Sequence, residues 1–209
     1  MRVRAKICGI TRYEDAAAAI DAGADALGFV FVPGTPRFIA PTDAAAILRR
    51  LPAFVARTGL FVDASHEEIL RTIEVTGIDT IQLHGAEPPS LGTALMSRVA
   101  VLKAFRIRDP GSLAELEGHR DACAAWLLDA FVAGAHGGTG ARFDWSLAVQ
   151  AVRMGKPVVL AGGLGPGNVA EAIRQVRPYA VDVSSGVEEA PGRKDHRKLR
   201  DFLEAVRQA

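Results

Sequence analysis

The chain has 209 residues, 49% of them apolar, and a formal net charge of +1. That is enough apolar material for one substantial core, and the near-neutral balance removes the electrostatic case for a nucleic-acid or membrane partner. Two cysteines far apart in sequence, Cys8 and Cys123, form neither a disulfide framework nor a zinc pattern.

Short apolar runs alternate with helix-like stretches along the whole chain. The predicted strands are Val3–Cys8, Ala26–Phe31, Thr58–Asp63, Thr80–His84, Val99–Phe105, Ala125–Asp129, Pro157–Ala161 and Ala180–Ser184. They recur about every 25 residues, the size of one strand–helix unit. Eight such units fit a single-domain α/β fold, a (β/α)8 TIM barrel over residues 1–209. A doubly wound open sheet would show the same alternation, but the even count and the lack of an obvious edge strand favour the barrel. Met1-Arg2-Val3-Arg4 enters the first strand with no signal peptide, and no apolar run is long enough to span a bilayer. The expected location is the reducing cytoplasm.

Helix starts are legible as well. Thr11 with Glu14, and Ser65 with Glu68, have capping-box spacing. Thr42 or Asp43 suits the cap of the second helix, and Asp144 caps a helix beginning at Trp145. From about Asp195, the residues Leu199, Phe202, Leu203 and Val206 form one apolar stripe.

Strand alternation then sorts side chains. It turns Ile7, Ile81, Leu83, Leu128, Val181 and Val183 toward the helices. Lys6, Cys8, Gln82, His84, Asp129, Asp182 and Ser184 are left facing the barrel axis near the carboxyl ends of their strands. Parallel α/β enzymes place their chemistry there.

Three glycine-bearing turns follow the last three strands: Gly137-Gly138-Thr139-Gly140, Ala161-Gly162-Gly163-Leu164 and Ser184-Ser185-Gly186. Any one can be just a tight turn. Together, with bare backbone amides and serine hydroxyls, they read as a phosphate cradle formed by Gly138, Thr139, Gly140, Gly162, Gly163, Ser184, Ser185 and Gly186.

Each chemical candidate has a plainer reading. Cys8 is either a small buried hydrophobe or a thiolate base, which would need a depressed pKa that Lys6 could help to provide. Asp129 is a turn residue or a catalytic acid, with Asp63 as its competitor. Asp182 is a loop acid or, between valines, a buried carboxylate that needs a partner. Arg37 is an exposed loop arginine or a fork for a substrate carboxylate. His84 is a core histidine or a substrate contact. Cys123, among alanines, reads as structural. No grouped Cys/His spacing supports a metal.

Taken in order, the motifs Lys6-Ile7-Cys8-Gly9-Ile10-Thr11, Gly28 to Phe31, Pro36-Arg37, Gly59 to Val62, Gln82-Leu83-His84-Gly85 with Glu87, and Leu128-Asp129-Ala130 resemble the phosphoribosylanthranilate isomerase family of tryptophan biosynthesis. So do Gly137 to Gly140 with Phe143-Asp144-Trp145, Leu160 to Leu164 with Pro166 and Asn168-Val169, and Val181 to Glu188 with Pro191-Gly192 and Lys194-Asp195. The resemblance runs through the whole chain; Thr35, where the pattern has serine, is one conservative departure, and residues 108–124 contribute nothing to it.

The resemblance implies a (β/α)8 barrel without metal or organic cofactor and a small phosphosugar substrate. The implied reaction is the Amadori rearrangement of N-(5-phosphoribosyl)anthranilate. Cys8 would be the base, Asp129 the acid, and Arg37 the contact to the anthranilate moiety. Lys6, His84 and Asp182 are expected to line the substrate. A related barrel isomerase of histidine biosynthesis carries an aspartate where this chain has Cys8. A noncatalytic phosphosugar-binding barrel would not require Cys8 and Asp129 together.

Overall fold

The computed structural model describes residues 2–130 and 144–209. Eight parallel strands close into a barrel in sequence order: β1 Arg4–Cys8, β2 Ala26–Val30, β3 Ala56–Phe61, β4 Thr80–Leu83, β5 Ala100–Ile107, β6 Ala125–Ala130, β7 Val158–Leu160 and β8 Ala180–Val183. Closure is made by β8 pairing with β1, which sets Lys6 opposite Asp182. The connecting helices are α1 Tyr13–Asp21, α2 Pro41–Leu48, α3 His66–Thr76, α4 Pro89–Leu95, α5 Leu113–Gly118, α6 Trp145–Arg153, α7 Val169–Val176 and α8 His196–Gln208. A short antiparallel hairpin, β9 Glu188–Ala190 and β10 Arg193–Lys194, stands between β8 and α8. The predicted barrel is therefore the observed one, and each predicted strand lies within two residues of its observed bounds.

Alternation divides the apolar residues into two cores. Inside the barrel, Ala104, Ala125, Leu127, Val159, Ala161 and Ala180 form a small cluster. Outside, Ile7, Leu27, Phe29, Ile81, Leu128 and Val181 meet the helices in a much larger one. The α8 stripe of Leu199, Phe202, Leu203 and Val206 is buried in that outer layer. Small residues fill the inner core, which keeps the axis narrow low in the barrel and leaves its upper layer to polar side chains.

Of the predicted caps, Ser65, Asp144 and the start at Asp195 are observed. Ser65 and Glu68 form a reciprocal capping box. Asp144 accepts from the Ser146 amide, and Asp195 accepts from the amides of Arg197 and Lys198. Two predictions fail. Thr11 caps nothing, because its hydroxyl donates to the Gly192 carbonyl at 2.6 Å and the helix begins only after Arg12. The second helix starts from Ala40 with Pro41 in its first turn, so Thr42 and Asp43 already lie inside it. Proline needs no partner for an N–H it lacks and has a preset φ, and this start uses no side-chain cap.

Phe202 is completely buried. Its replacement by alanine removes a ring from the seam between helix and barrel and is expected to cost about 3–5 kcal/mol. A urea midpoint for Phe202→Ala that matches the parent would contradict this account of the outer core.

Candidate functional site

The upper barrel holds a cavity of about 410 Å³ walled by Cys8, Arg37, Gln82, His84, Arg106 and Asp129 and by the turns Gly162 to Leu164 and Ser184 to Gly186. Its floor is a directional chain of hydrogen bonds. Lys6 Nζ donates to Asp182 Oδ1 at 2.8 Å and to Gln82 Oε1 at 2.9 Å. An ammonium only donates, so Gln82 must present its oxygen to Lys6 and its NH2 to His84 Nδ1, 2.8 Å away. Neutral His84 then carries its proton on Nε2, which lies 3.4 Å from Asp129 Oδ2. Asp182, the carboxylate expected to need a partner, has one in Lys6.

Burial alone would lower the pKa of Lys6, but Asp182 and Cys8 outweigh it and hold Lys6 above the usual lysine range. Cys8 differs from its expectation. Burial pushes the thiol up and Asp182 adds to that, while Lys6 and Lys194 pull the other way without prevailing. The net direction is upward, opposite to the depressed value expected of a thiolate base. Room for Cys8 and Lys6 side by side comes from Gly28, whose register partner is Cys8. A Cβ there would stand 2.9 Å from the sulfur and 3.1 Å from Lys6 Nζ.

Arg37 reaches the cavity from the loop after β2. Its Nε and Nη2 donate to Glu188 Oε1 and Oε2 at 2.8 and 2.6 Å. Two of its five N–H groups are thus used in a bidentate pair, leaving three beyond it. Burial works against the Glu188 charge, but Arg37 and Lys194 outweigh it and hold the carboxyl below its usual range. Lys194 Nζ lies 2.8 Å from Glu188 Oε1 and donates also to the carbonyls of Cys8 and Ser184.

The described part of the glycine cradle lies on one side of the cavity. Gly162 and Gly163 have positive φ, and Asn168 stitches their turn by donating to the Gly163 carbonyl and accepting from the Gly165 amide, both at 2.9 Å. Gly186 packs directly on that turn: a Cβ there would meet the Leu164 carbonyl oxygen at 1.9 Å, so the two turns touch only because position 186 has no side chain. Ser184 Oγ is buried beside them with no hydrogen-bond partner among the described residues. An unpartnered buried hydroxyl is costly and is relieved by an incoming acceptor. Gly138, Thr139 and Gly140 lie outside the described residues.

Alternation therefore assembled Lys6, Cys8, Gln82, His84, Asp129, Asp182 and Ser184 correctly. It missed Arg106, because β5 runs two residues past its predicted end at Phe105. That extension brings Arg106 into register with Asp129. It missed Glu188 and Lys194, whose hairpin follows the last barrel strand. Asp63, the rival acid, serves the rim: its Oδ1 accepts from the Ala86 amide at 2.7 Å. Cys123 is buried, with its sulfur against the His119 carbonyl, in keeping with a packing role. No group of three or more metal-ligating side chains occurs among the described residues.

Beside His84 the rim is held by Glu87, which is buried and accepts from the amides of Asp63 and Gly85 and from Lys103 Nζ. Burial would raise its pKa, but Lys103 and backbone amides, that of Asp63 among them, lower it overall. The stability this contributes is full above the ordinary carboxylate range, near about 4.3, and is lost as pH falls through the lower folded value. Urea midpoints between pH 5 and 3 should therefore fall more steeply for the parent than for Glu87→Gln. Parallel curves would remove Glu87 from the acid-labile set.

Comparison with known proteins agrees with this architecture. The family model for N-(5'-phosphoribosyl)anthranilate (PRA) isomerase matches residues 5–205. The N-(5'-phosphoribosyl)anthranilate isomerase of Geobacter sp. (strain M21) is 54% identical over 200 residues, 96% of each chain. That of Pseudomonas putida (strain W619) is 50% identical over 207 residues, 99% of this chain and 98% of the relative. The crystal structure of phosphoribosyl anthranilate isomerase from Thermotoga maritima superposes with a TM-score of 0.93 at 42% identity, covering 99% of this chain and 100% of that one. A structure of such an isomerase in complex with reduced 1-(o-carboxyphenylamino)-1-deoxyribulose 5-phosphate superposes with a TM-score of 0.90 at 41% identity, with the same coverage. With the match running through every strand that feeds the cavity, the chain belongs to the N-(5'-phosphoribosyl)anthranilate isomerase family.

Proposed function

We propose that this chain converts N-(5-phosphoribosyl)anthranilate to 1-(2-carboxyphenylamino)-1-deoxyribulose 5-phosphate, an isomerisation in tryptophan biosynthesis, with Asp129 as general acid and Cys8 as general base. The observation that carries the reading is the presence of both groups in one cavity, between the Arg37 fork and the paired turns at Gly162 and Ser184. The substrate has the matching sequence of parts: an aromatic carboxylate, a sugar and a phosphate.

The rearrangement begins when an acid protonates the furanose ring oxygen. The nitrogen lone pair then opens the ring to an iminium ion. Asp129 is the donor in this reading, and the Nε2–H of His84 lies beside the carboxylate left behind. A base next removes the proton from the adjacent sugar carbon, giving an enolamine that tautomerises to the ketone. Atoms and electrons balance within one molecule, so the step calls for no redox partner.

Cys8 is the base. The upward direction of its pKa is compatible with that role, because the cationic iminium both acidifies the sugar carbon and favours a nearby thiolate. Phosphate held by Gly162, Gly163, Ser184, Ser185 and Gly186, together with Gly138, Thr139 and Gly140, supplies binding energy remote from the reacting atoms and orients the sugar between acid and base. Lys6 and Asp182 keep the floor rigid, with His84 beside the acid. A thiol base works only where thiols stay reduced, and both cysteines are free, so the cytoplasm is the proposed location. Among the described residues no helix is long and apolar enough to cross a membrane.

The test is loss of anthranilate fluorescence when the protein is added to phosphoribosylanthranilate generated in situ. Cys8→Ser and Asp129→Asn should each reduce turnover by at least about 100-fold, the lower range for removal of a general acid or base, while product binding persists. Near-normal turnover in either variant would refute its assigned role. Arg37→Ala should act chiefly on KM, raising it by roughly tenfold or more, as expected for loss of a charge-assisted pair. An unchanged KM would count against the carboxylate fork.

A further inference from the structure

Resting on the isomerase reading, we infer that Glu188 and Lys194 are positioning residues that set the specificity for a carboxylated aromatic amine. They present Arg37 as part of a cluster with one positive charge in excess, and they couple that cluster to the backbone of Cys8 and Ser184.

The charge count follows from hydrogen bonding. Lys194 Nζ has three acceptors within reach: Glu188 Oε1 at 2.8 Å, and the carbonyl oxygens of Cys8 at 2.5 Å and Ser184 at 3.2 Å. Three donated bonds require the ammonium form, which Glu188 supports against the burial that lowers the Lys194 pKa. Arg37 is permanently charged. Against these two cations the cluster holds, among the described residues, a single carboxylate, Glu188, shared between them. The Lys194 side chain is fully buried and Glu188 nearly so. A buried excess charge is unfavourable until an anion arrives. A carboxylate at the remaining N–H groups of Arg37 would bring the count to two cations and two anions.

The geometry makes this more than charge neutralisation. Glu188 grips Arg37 through two parallel bonds, which fixes the plane of the guanidinium as well as its position. The arginine stem passes over Gly9, where a Cβ would meet Arg37 Cδ at 2.6 Å. The same lysine that shares Glu188 holds the main chain at Cys8, on the strand carrying the proposed base, and at Ser184, where the phosphate turn begins. One buried ammonium thus joins the aromatic, reacting and phosphate ends of the cavity. Lys194 is itself anchored, since its amide donates to Asp15 Oδ2 at 3.0 Å.

The experiment compares two stable ligands by calorimetry, the reduced aminoketose products made from anthranilate and from aniline, which differ only in the carboxylate. Turnover of phosphoribosylanthranilate is measured on the same preparations. The parent should bind the carboxylated ligand at least about tenfold more tightly. Glu188→Gln leaves both cations but frees the plane of the Arg37 guanidinium, so it should lower that preference, orientation outweighing the added charge, while leaving affinity for the aniline ligand within about twofold. Lys194→Met should weaken both ligands and lower kcat, and Lys194→Arg should restore part of both. Equal affinity of the parent for the two ligands would overturn the inference, as would equal weakening of both by Glu188→Gln, which marks general damage to the fold. Loss of preference in Glu188→Gln supports it even if the parent shows no turnover, because that second result sinks the isomerase reading alone.

Discussion

A charged lysine inside the barrel is the constraint on which the upper cavity depends. Lys6 lies within the narrow interior, where an unpaired ammonium would cost several kcal/mol. It is tolerated because barrel closure sets Asp182 directly opposite, and because β4 supplies the Gln82 carbonyl oxygen. Once Lys6 must donate, the orientation of everything beyond it is decided. Gln82 cannot flip without turning an NH2 toward an ammonium, and His84 therefore accepts on Nδ1. The result is a fixed polarity running from β8 through β1 and β4 toward Asp129 on β6. Such a network is rigid because each of its members would be unsatisfied in any other arrangement.

Two buried ammonium groups act on Cys8. Lys6, on β1 itself, extends into the barrel interior, and Lys194 grips the Cys8 carbonyl from the hairpin side. Cys8 lies between fields that favour its thiolate and a buried setting beside Asp182 that favours its thiol. The balance falls on the thiol side. That suits the proposed base, whose substrate becomes cationic only after ring opening. The same cations reduce the further push toward thiolate needed once an iminium forms nearby. A permanently ionised thiol would instead be more open to oxidation and would leave a buried negative charge to be solvated.

How much of this was legible in the sequence depends on the range of the signal. Strand alternation is local and has period two, so a dozen residues are enough to turn Lys6 and Cys8 inward, and likewise Gln82 and His84. The same local rule identified Asp129, Asp182 and Ser184. The eight-unit rhythm gave the barrel for the same reason. Arg106 lies at a boundary: the alternation continues through Ala104 and Phe105, but the predicted strand stops at Phe105, before the next inward position. Glu188 and Lys194 left no periodic trace. The Arg37–Glu188 pair joins residues 151 apart in the chain, and only closure of the barrel brings them together. One helix cap failed because a tertiary partner outbid the local one, the Gly192 carbonyl taking the Thr11 hydroxyl, and the other because Pro41 starts its helix before Thr42. The hairpin that defeated the local reading of Thr11 is also the one that supplies Glu188 and Lys194.

Two long-range clusters therefore divide the work of organising the cavity. The floor, Asp182–Lys6–Gln82–His84, is charge-balanced by its own ion pair, and its hydrogen bonds run in one direction. The wall, Arg37–Glu188–Lys194, has its geometry fixed but retains one positive charge. A site whose floor changed charge on binding would have to reorganise buried dipoles around the acid. A site whose wall was already neutral would give an anion little reason to enter. In the proposed reaction, keeping the balanced cluster beneath the reacting atoms and the unbalanced one beside the carboxylate allows binding energy to come from the wall while Asp129 and Cys8 stay in place. In electrostatic catalysis, preorganisation of that kind lowers the reorganisation required during the reaction itself.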